Sequence, residues 1–129
     1  AGTFIMVGYA GETKEDIYAT VEHLKKADPD LFTITVAYPI KGTPLYAEVE
    51  DRFVTQLPWE NSTDRDIDFV RTYSRRYYDY AVRMINKELS YHKALKKPMA
   101  NLFRLPRLKI QSVIAQGAML WHQRKRAKP

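Results

Sequence analysis

Two short segments hold residue types able to do chemistry through the backbone. Gly8-Tyr9-Ala10-Gly11-Glu12-Thr13 follows an apolar run, and Tyr38-Pro39-Ile40-Lys41-Gly42-Thr43-Pro44 closes a second one. Glycine permits a positive φ or close approach to another group, so Gly8 and Gly11 bracket a tight loop. A triphosphate loop needs Gly, four residues, then Gly-Lys-Ser/Thr. Here two residues separate the glycines, and Glu12 stands where the lysine belongs and would repel phosphate. The dinucleotide pattern Gly-x-Gly-x-x-Gly is absent as well. The structural reading is a strand-to-helix turn with Glu12 favourably near a helix N-terminus. Elsewhere His23, His92 and His122 are far apart in the sequence, without metal-ligand spacing. No nucleophile has a base close by in sequence.

The elements around these loops form one unit. Thr3 to Gly8 is a short apolar run bounded by glycine, which predicts a strand buried on both faces. Thr13 is a candidate N-cap with Asp16 three residues on, a partial capping box. The spacing of Ile17, Val21 and Leu24 predicts a helix over 14–27, which Asp28-Pro29-Asp30 ends. Leu31 to Tyr38 is rich in β-branched residues and predicts a second strand stopped by Pro39. The connection of roughly 22 residues demands a parallel, right-handed crossover. Both loops then leave the carboxyl edge of one sheet, where open α/β sheets and barrels place ligands. A two-stranded parallel sheet leaves edges and a face to be covered. More strands of a longer chain, or self-association of this one, are expected to cover them.

The chain of 129 residues has room for one domain with a core. No apolar run approaches the length of a transmembrane helix. The N-terminal apolar run has no Lys or Arg before it, unlike a signal peptide, which makes the cytoplasm the default expectation. The chain lacks an initiator Met and begins in a strand, so it reads as cut from something longer. Zero cysteines exclude disulfides, thiolate metal sites and Cys nucleophiles within it. The net charge of +6 is divided unevenly: residues 1–63 carry −5 and residues 64–129 carry +11. Such asymmetry predicts two units, 1–60 and 61–129, the second suited to an acidic partner.

Taken together, the two loops resemble segments of radical S-adenosylmethionine enzymes. Gly8 to Thr13 resembles their Gly-x-Pro-Gly-Glu-Thr segment, and Pro39 to Pro44 resembles their Pro-x-x-Gly-Thr-Pro segment. The likeness looks closest to the branch carrying a cobalamin-binding domain. It implies that residues 1–60 are the end of a partial (β/α)6 barrel, two parallel strands and one crossover helix, followed by a helical tail. It also implies a site: Ile5, Val7 and Gly8 of the fifth strand, with Gly11 and Glu12, and Tyr38, Pro39, Ile40 and Gly42 after the sixth, forming part of a wall for the adenine of S-adenosylmethionine. In that family a 4Fe-4S cluster on a Cys-x3-Cys-x2-Cys loop cleaves the cofactor to a 5′-deoxyadenosyl radical that abstracts a substrate hydrogen. Ala10 replaces the usual proline, which loosens the loop modestly. Because cysteine is absent, the cluster loop is not in this chain, and the chain alone is expected to be inactive and to need the rest of the barrel.

In the second half, Pro44 to Glu50 predicts a short helix with Pro44 first, and 52–60, including Trp59, an irregular stretch packed on the barrel wall. A capping pattern at Thr63 and Asp66 predicts a helix of about 30 residues through Ile67, Val70, Tyr77, Ala81, Met84, Ile85 and Leu89, ending before Lys97-Pro98. Tyrosines at 73, 77, 78 and 80 alternate with Arg71, Arg75, Arg76 and Arg83. Basic residues among aromatics bind single-stranded nucleic acid; the same spacing also describes a core edge beside a solvated face. After a linker from Met99, Pro106 is expected to open a last helix with an apolar stripe at Leu108, Ile110, Val113, Ile114, Ala118, Leu120 and Trp121 and a basic end. That helix suits either an anionic membrane surface or packing on its neighbour.

Overall fold

The computed structural model describes residues 1–55, 67–97 and 99–123. Strand β1 (Gly2–Val7) and strand β2 (Leu31–Val36) pair in parallel, with Gly2 opposite Leu31 and Val7 opposite Val36. Helix α1 (Lys14–Ala27) forms the crossover between them. Its first turn is fixed by Asp16, whose Oδ2 accepts from both the backbone N–H and the hydroxyl of Thr13 at 2.8 Å. Aspartate thus completes the box that glutamate or glutamine usually fills. Ile17, Val21 and Leu24 form its buried stripe, as their spacing predicts. The helix ends at Asp28, in the left-handed region at φ 43°, whose N–H bonds the Leu24 carbonyl at 2.9 Å. Gly8 and Gly11 also take positive φ, 88° and 83°, as the tight loop requires.

The sheet is covered on one face, which corrects the expectation of two. Ile5, Phe32, Ile34 and Val36 pack with Val7 onto the helical core, whereas Phe4 on the opposite face is 62% exposed. Strand alternation divides the residues in this way. On that second face Phe4, Leu31 and Thr33 are exposed, while Met6 and Thr35 near the carboxyl edge are half-buried.

After the short helix α2 (Pro44–Val49), opened by Thr43 Oγ1 accepting from the Tyr46 N–H at 3.3 Å, the chain departs from expectation. A 3-10 turn (Glu50–Arg52) leads into strand β3 (Phe53–Thr55), which pairs antiparallel with β4 (Asp68–Phe69). The long helix α3 therefore starts at Arg75, after Ser74, and ends at Leu95. Its 21 residues span about 31 Å, shorter than the expected helix of about 30 residues. Ile67 and Val70 precede the helix: a non-local pairing, marked by the Val70 N–H to Arg52 carbonyl bond at 2.9 Å, overrides their helical spacing. Trp59 and the Thr63–Asp66 pattern lie outside the described residues.

Helix α3 contacts α1 and β2 and supplies half of the core cluster: Tyr77, Tyr78, Ala81, Met84, Ile85 and Leu89 join Val7, Ile17, Val21 and Leu24, with Ala115 and Met119 further along the chain. A second 3-10 turn (Met99–Asn101) leads to helix α4 (Arg104–Gln123), which starts two residues before Pro106. Here the expected stripe is largely wrong. Helix α4 packs on α3 through Leu108, Ser112, Ala115 and Met119, leaving Ile110, Val113, Ile114 and Trp121 exposed. Small Ser112 and Ala115 allow close approach, and Ser112 Oγ donates to Glu88 Oε1 at 2.5 Å. Glu88 also receives Lys109 at 2.8 Å and, on its other oxygen, Lys25 of α1 at 3.3 Å. One carboxylate therefore joins three helices.

Candidate functional site

The parallel register brings both glycine-containing loops to one edge, and a ladder bond from the Ala37 N–H to the Val7 carbonyl at 2.7 Å continues the pairing past the strands. Behind that bond, the Ala37 carbonyl accepts from Arg71 Nη2 at 2.6 Å. Arg71 is buried; it pairs with Asp68, and its guanidinium carbon stands 4.1 Å from the centre of the Phe69 ring. Burial pulls the guanidinium below its ordinary pKa while Asp68 opposes the shift; an arginine stays cationic under such conditions.

The close approach that Gly8 permits is to protein. A Cβ there would lie 3.1 Å from Val36 Cγ1 and 3.6 Å from both Arg71 Nε and Tyr78 Cδ1. The Gly8 N–H donates to Glu12 Oε2 at 2.7 Å, so the loop closes on its own carboxylate. Burial raises the Glu12 pKa, the bond from Gly8 opposes that, and Asp16 adds to it. Tyr77 and Tyr78 are fully buried, their rings edge-on at 5.1 Å, with Tyr73 4.2 Å from Tyr77. Burial pushes Tyr78 up to about 12 and Tyr77 further, so both phenols stay protonated. Arg71 Nε, Ser74 Oγ and both phenol oxygens have no hydrogen-bond partner among the described residues. Behind the edge therefore lies a buried polar layer of one cation, its carboxylate and neutral hydroxyls. Such a layer can hold the loops and polarise the site, but it contains no exposed acid, base or nucleophile.

The residues expected at the site are placed as follows. The side chains of Ile5 and Val7 face the helical core, so only their backbone atoms can reach a ligand at the edge. Gly8 and Pro39 are buried, and Glu12 and Tyr38 are half-buried. Ile40 is 44% exposed, and Gly11 and Gly42 lie in the open, the latter at φ 88°. Tyr9, 46% exposed, adds an aromatic surface to the same edge. The sequence reading missed Asp68, Arg71 and the inward role of Tyr77 and Tyr78. The i,i+3 spacing of Asp68 and Arg71 was the available signal, and it is common on any helix. Buried in this way, Tyr77 and Tyr78 present no ring for stacking on a base. Among the described residues, no three His, Asp or Glu come together to hold a metal ion. No described helix is long and apolar enough to cross a membrane.

The fold and site define a small α/β unit with loops gathered at the carboxyl edge of a parallel pair. No protein-family model matches the chain, and no solved structure matches it. Over 66 residues, 50% of its length, the chain is 33% identical to an uncharacterized methyltransferase of Pyrococcus horikoshii. Those residues amount to 14% of that protein.

Proposed function

We propose that this chain supplies part of the adenine-binding wall of a radical S-adenosylmethionine enzyme, as the last two strands of its barrel. The observation that carries the reading is the meeting of the two loops at one carboxyl edge, joined by the Ala37–Val7 bond. The likeness of half the chain to a methyltransferase supports use of S-adenosylmethionine, the common methyl donor. The edge fits an adenine: Tyr9 and Ile40 offer apolar surface, and the loop backbones offer groups able to read a purine's edge.

The roles of this chain's residues follow from that geometry. Glu12 holds the first loop by its bond to Gly8, and Arg71 holds the second by its bond to Ala37. Ile40 and Tyr9 are the exposed side chains at the edge and Tyr38 is half-buried, while Val7, Gly8 and Pro39 are buried and could meet a ligand through backbone alone. Hydrogen-atom abstraction is the chemistry the cofactor supplies in that family. An iron–sulfur cluster does not fit this chain, which has no cysteine. Its ligands belong to residues outside this chain, and the reading assigns none to cobalamin.

The test is binding of S-adenosylmethionine to the full-length protein that contains this chain, by equilibrium dialysis. Ile40→Asp, which puts a charge against the adenine, should weaken binding about tenfold or more. Binding unaffected by Ile40→Asp and by Gly42→Val, or no Cys-x3-Cys-x2-Cys loop upstream in the reading frame, would overturn the reading.

A further inference from the structure

We infer that helix α4 docks on an anionic lipid surface through the face it turns away from α3. The inference is independent of the adenine site, and three observations carry it. First, Ile110, Ile114 and Trp121 recur at helical spacing on the outward stripe, opposite the buried Leu108, Ser112, Ala115 and Met119. Ile114 is 65% exposed and Trp121 63%. Phe103, just before the helix, is 92% exposed. A face this apolar and this open is unusual on a protein meant only for water.

Second, the charged residues of α4 itself have one sign, three cations and no Asp or Glu. After Glu88 the sequence contains no Asp or Glu, while residues 89–129 hold ten Lys and Arg. Arg104 and Arg107 on α4 are exposed, whereas Lys109 pairs with Glu88 of α3, and Arg107 falls on the outward stripe, one turn before Ile110. Third, the helix is mixed in the manner of an interfacial element. It is not apolar enough to span a membrane, but an apolar stripe, a tryptophan and flanking cations together suit burial to the depth of the headgroups. A protein partner would have to bring a matching acidic surface around an apolar one, whereas an anionic bilayer presents both together. Ordering costs little, because α3 already holds α4 folded and oriented.

The experiment is co-sedimentation of the full-length protein with vesicles of phosphatidylcholine containing about 30 mol% phosphatidylglycerol, against phosphatidylcholine alone, at low and high salt. The Trp121 signal is taken as the difference in emission between the protein and its Trp121→Phe variant. The expected result is binding to the anionic vesicles that falls with salt, a blue shift of Trp121, and about tenfold weaker partitioning or less in Ile114→Glu. Ile114 is exposed, so the variant should fold, which circular dichroism checks. Three results overturn the inference. One is no binding at low salt. Another is binding that Ile114→Glu leaves unchanged, which would mean charge alone. The last is a face already covered in the full-length protein, seen as Trp121 shielded from a soluble quencher or as a dimer that Ile114→Glu dissociates.

Discussion

Arg71 donates from Nη2 to the Ala37 carbonyl at 2.6 Å, across 34 positions of the chain. This bond fastens the stretch before α3 to the residue that leaves β2, and so fixes the second loop from behind. The same guanidinium pairs with Asp68 and lies over Phe69. Removing it would leave a buried carbonyl and a half-buried carboxylate unpaired. Arg71→Ala should destabilise the chain by about 3 kcal/mol or more in urea unfolding. Arg71→Lys should recover only part of that, because an ammonium cannot bridge both partners in the fork geometry. A loss within a few tenths of a kcal/mol for Arg71→Ala would show that the bond does not hold the loop.

Glu12 gives a paired test at the first loop. Its Oε2 accepts from the Gly8 N–H at 2.7 Å, yet burial disfavours its charge. Glu12→Gln keeps an acceptor without the charge and should be close to neutral. Glu12→Ala leaves the Gly8 N–H without its partner and should cost about 1–3 kcal/mol. Equal effects from the two variants would refute the role given to the carboxylate.

The buried phenols make the fold sensitive to alkali. In the folded chain Tyr78 is raised from 10.0 to about 12, so its protonated form contributes stability that is fully present below the ordinary value and lost as pH rises through the folded one. Between those limits Tyr78 alone should lower the unfolding free energy by on the order of 2 kcal/mol. Tyr78→Phe should flatten that part of the profile. An unchanged slope in the variant would assign the loss to other groups.

Glu88 acts at the opposite end of the pH range. Burial would raise its pKa, but bonds from Lys109, Ser112 and Lys25 outweigh burial and hold it below its ordinary value of 4.5. Its contribution is therefore present above that value and lost as pH falls through the lower, folded one. Acid should loosen α4 first, because two of the three bonds come from it. Glu88→Ala should leave buried Ser112 without its acceptor, cost about 1–3 kcal/mol, and remove the acid-sensitive step from hydrogen exchange of α4. Persistence of that step in the variant would locate it elsewhere.

What could be read in the sequence follows the reach of each signal. The βαβ unit was legible because every cue within it is local: the apolar run to Val7, the Thr13–Asp16 cap, the Ile17, Val21 and Leu24 stripe, and the stop at Pro29. The pairing of Phe53–Thr55 with Asp68–Phe69 was not, because it joins short segments far apart in the chain and Ile67 and Val70 happen to fit a helical period. Helix α4 misled for another reason. Its most apolar residues do not face α3; the small residues Ser112 and Ala115 do, since they allow approach and Glu88 waits opposite. Arg71 looked like one cation of a solvated face. Only the closed fold brings it beneath Gly8, where a side chain on the glycine would meet its Nε.

An adenine wall made from the two loops should be visible in amide hydrogen exchange of the full-length protein with and without S-adenosylhomocysteine, a non-reactive analogue. Residues 8–12 and 38–42 should gain protection together, with α3 unchanged. Ligand binding that protects other segments and leaves both loops exchanging as before would contradict it.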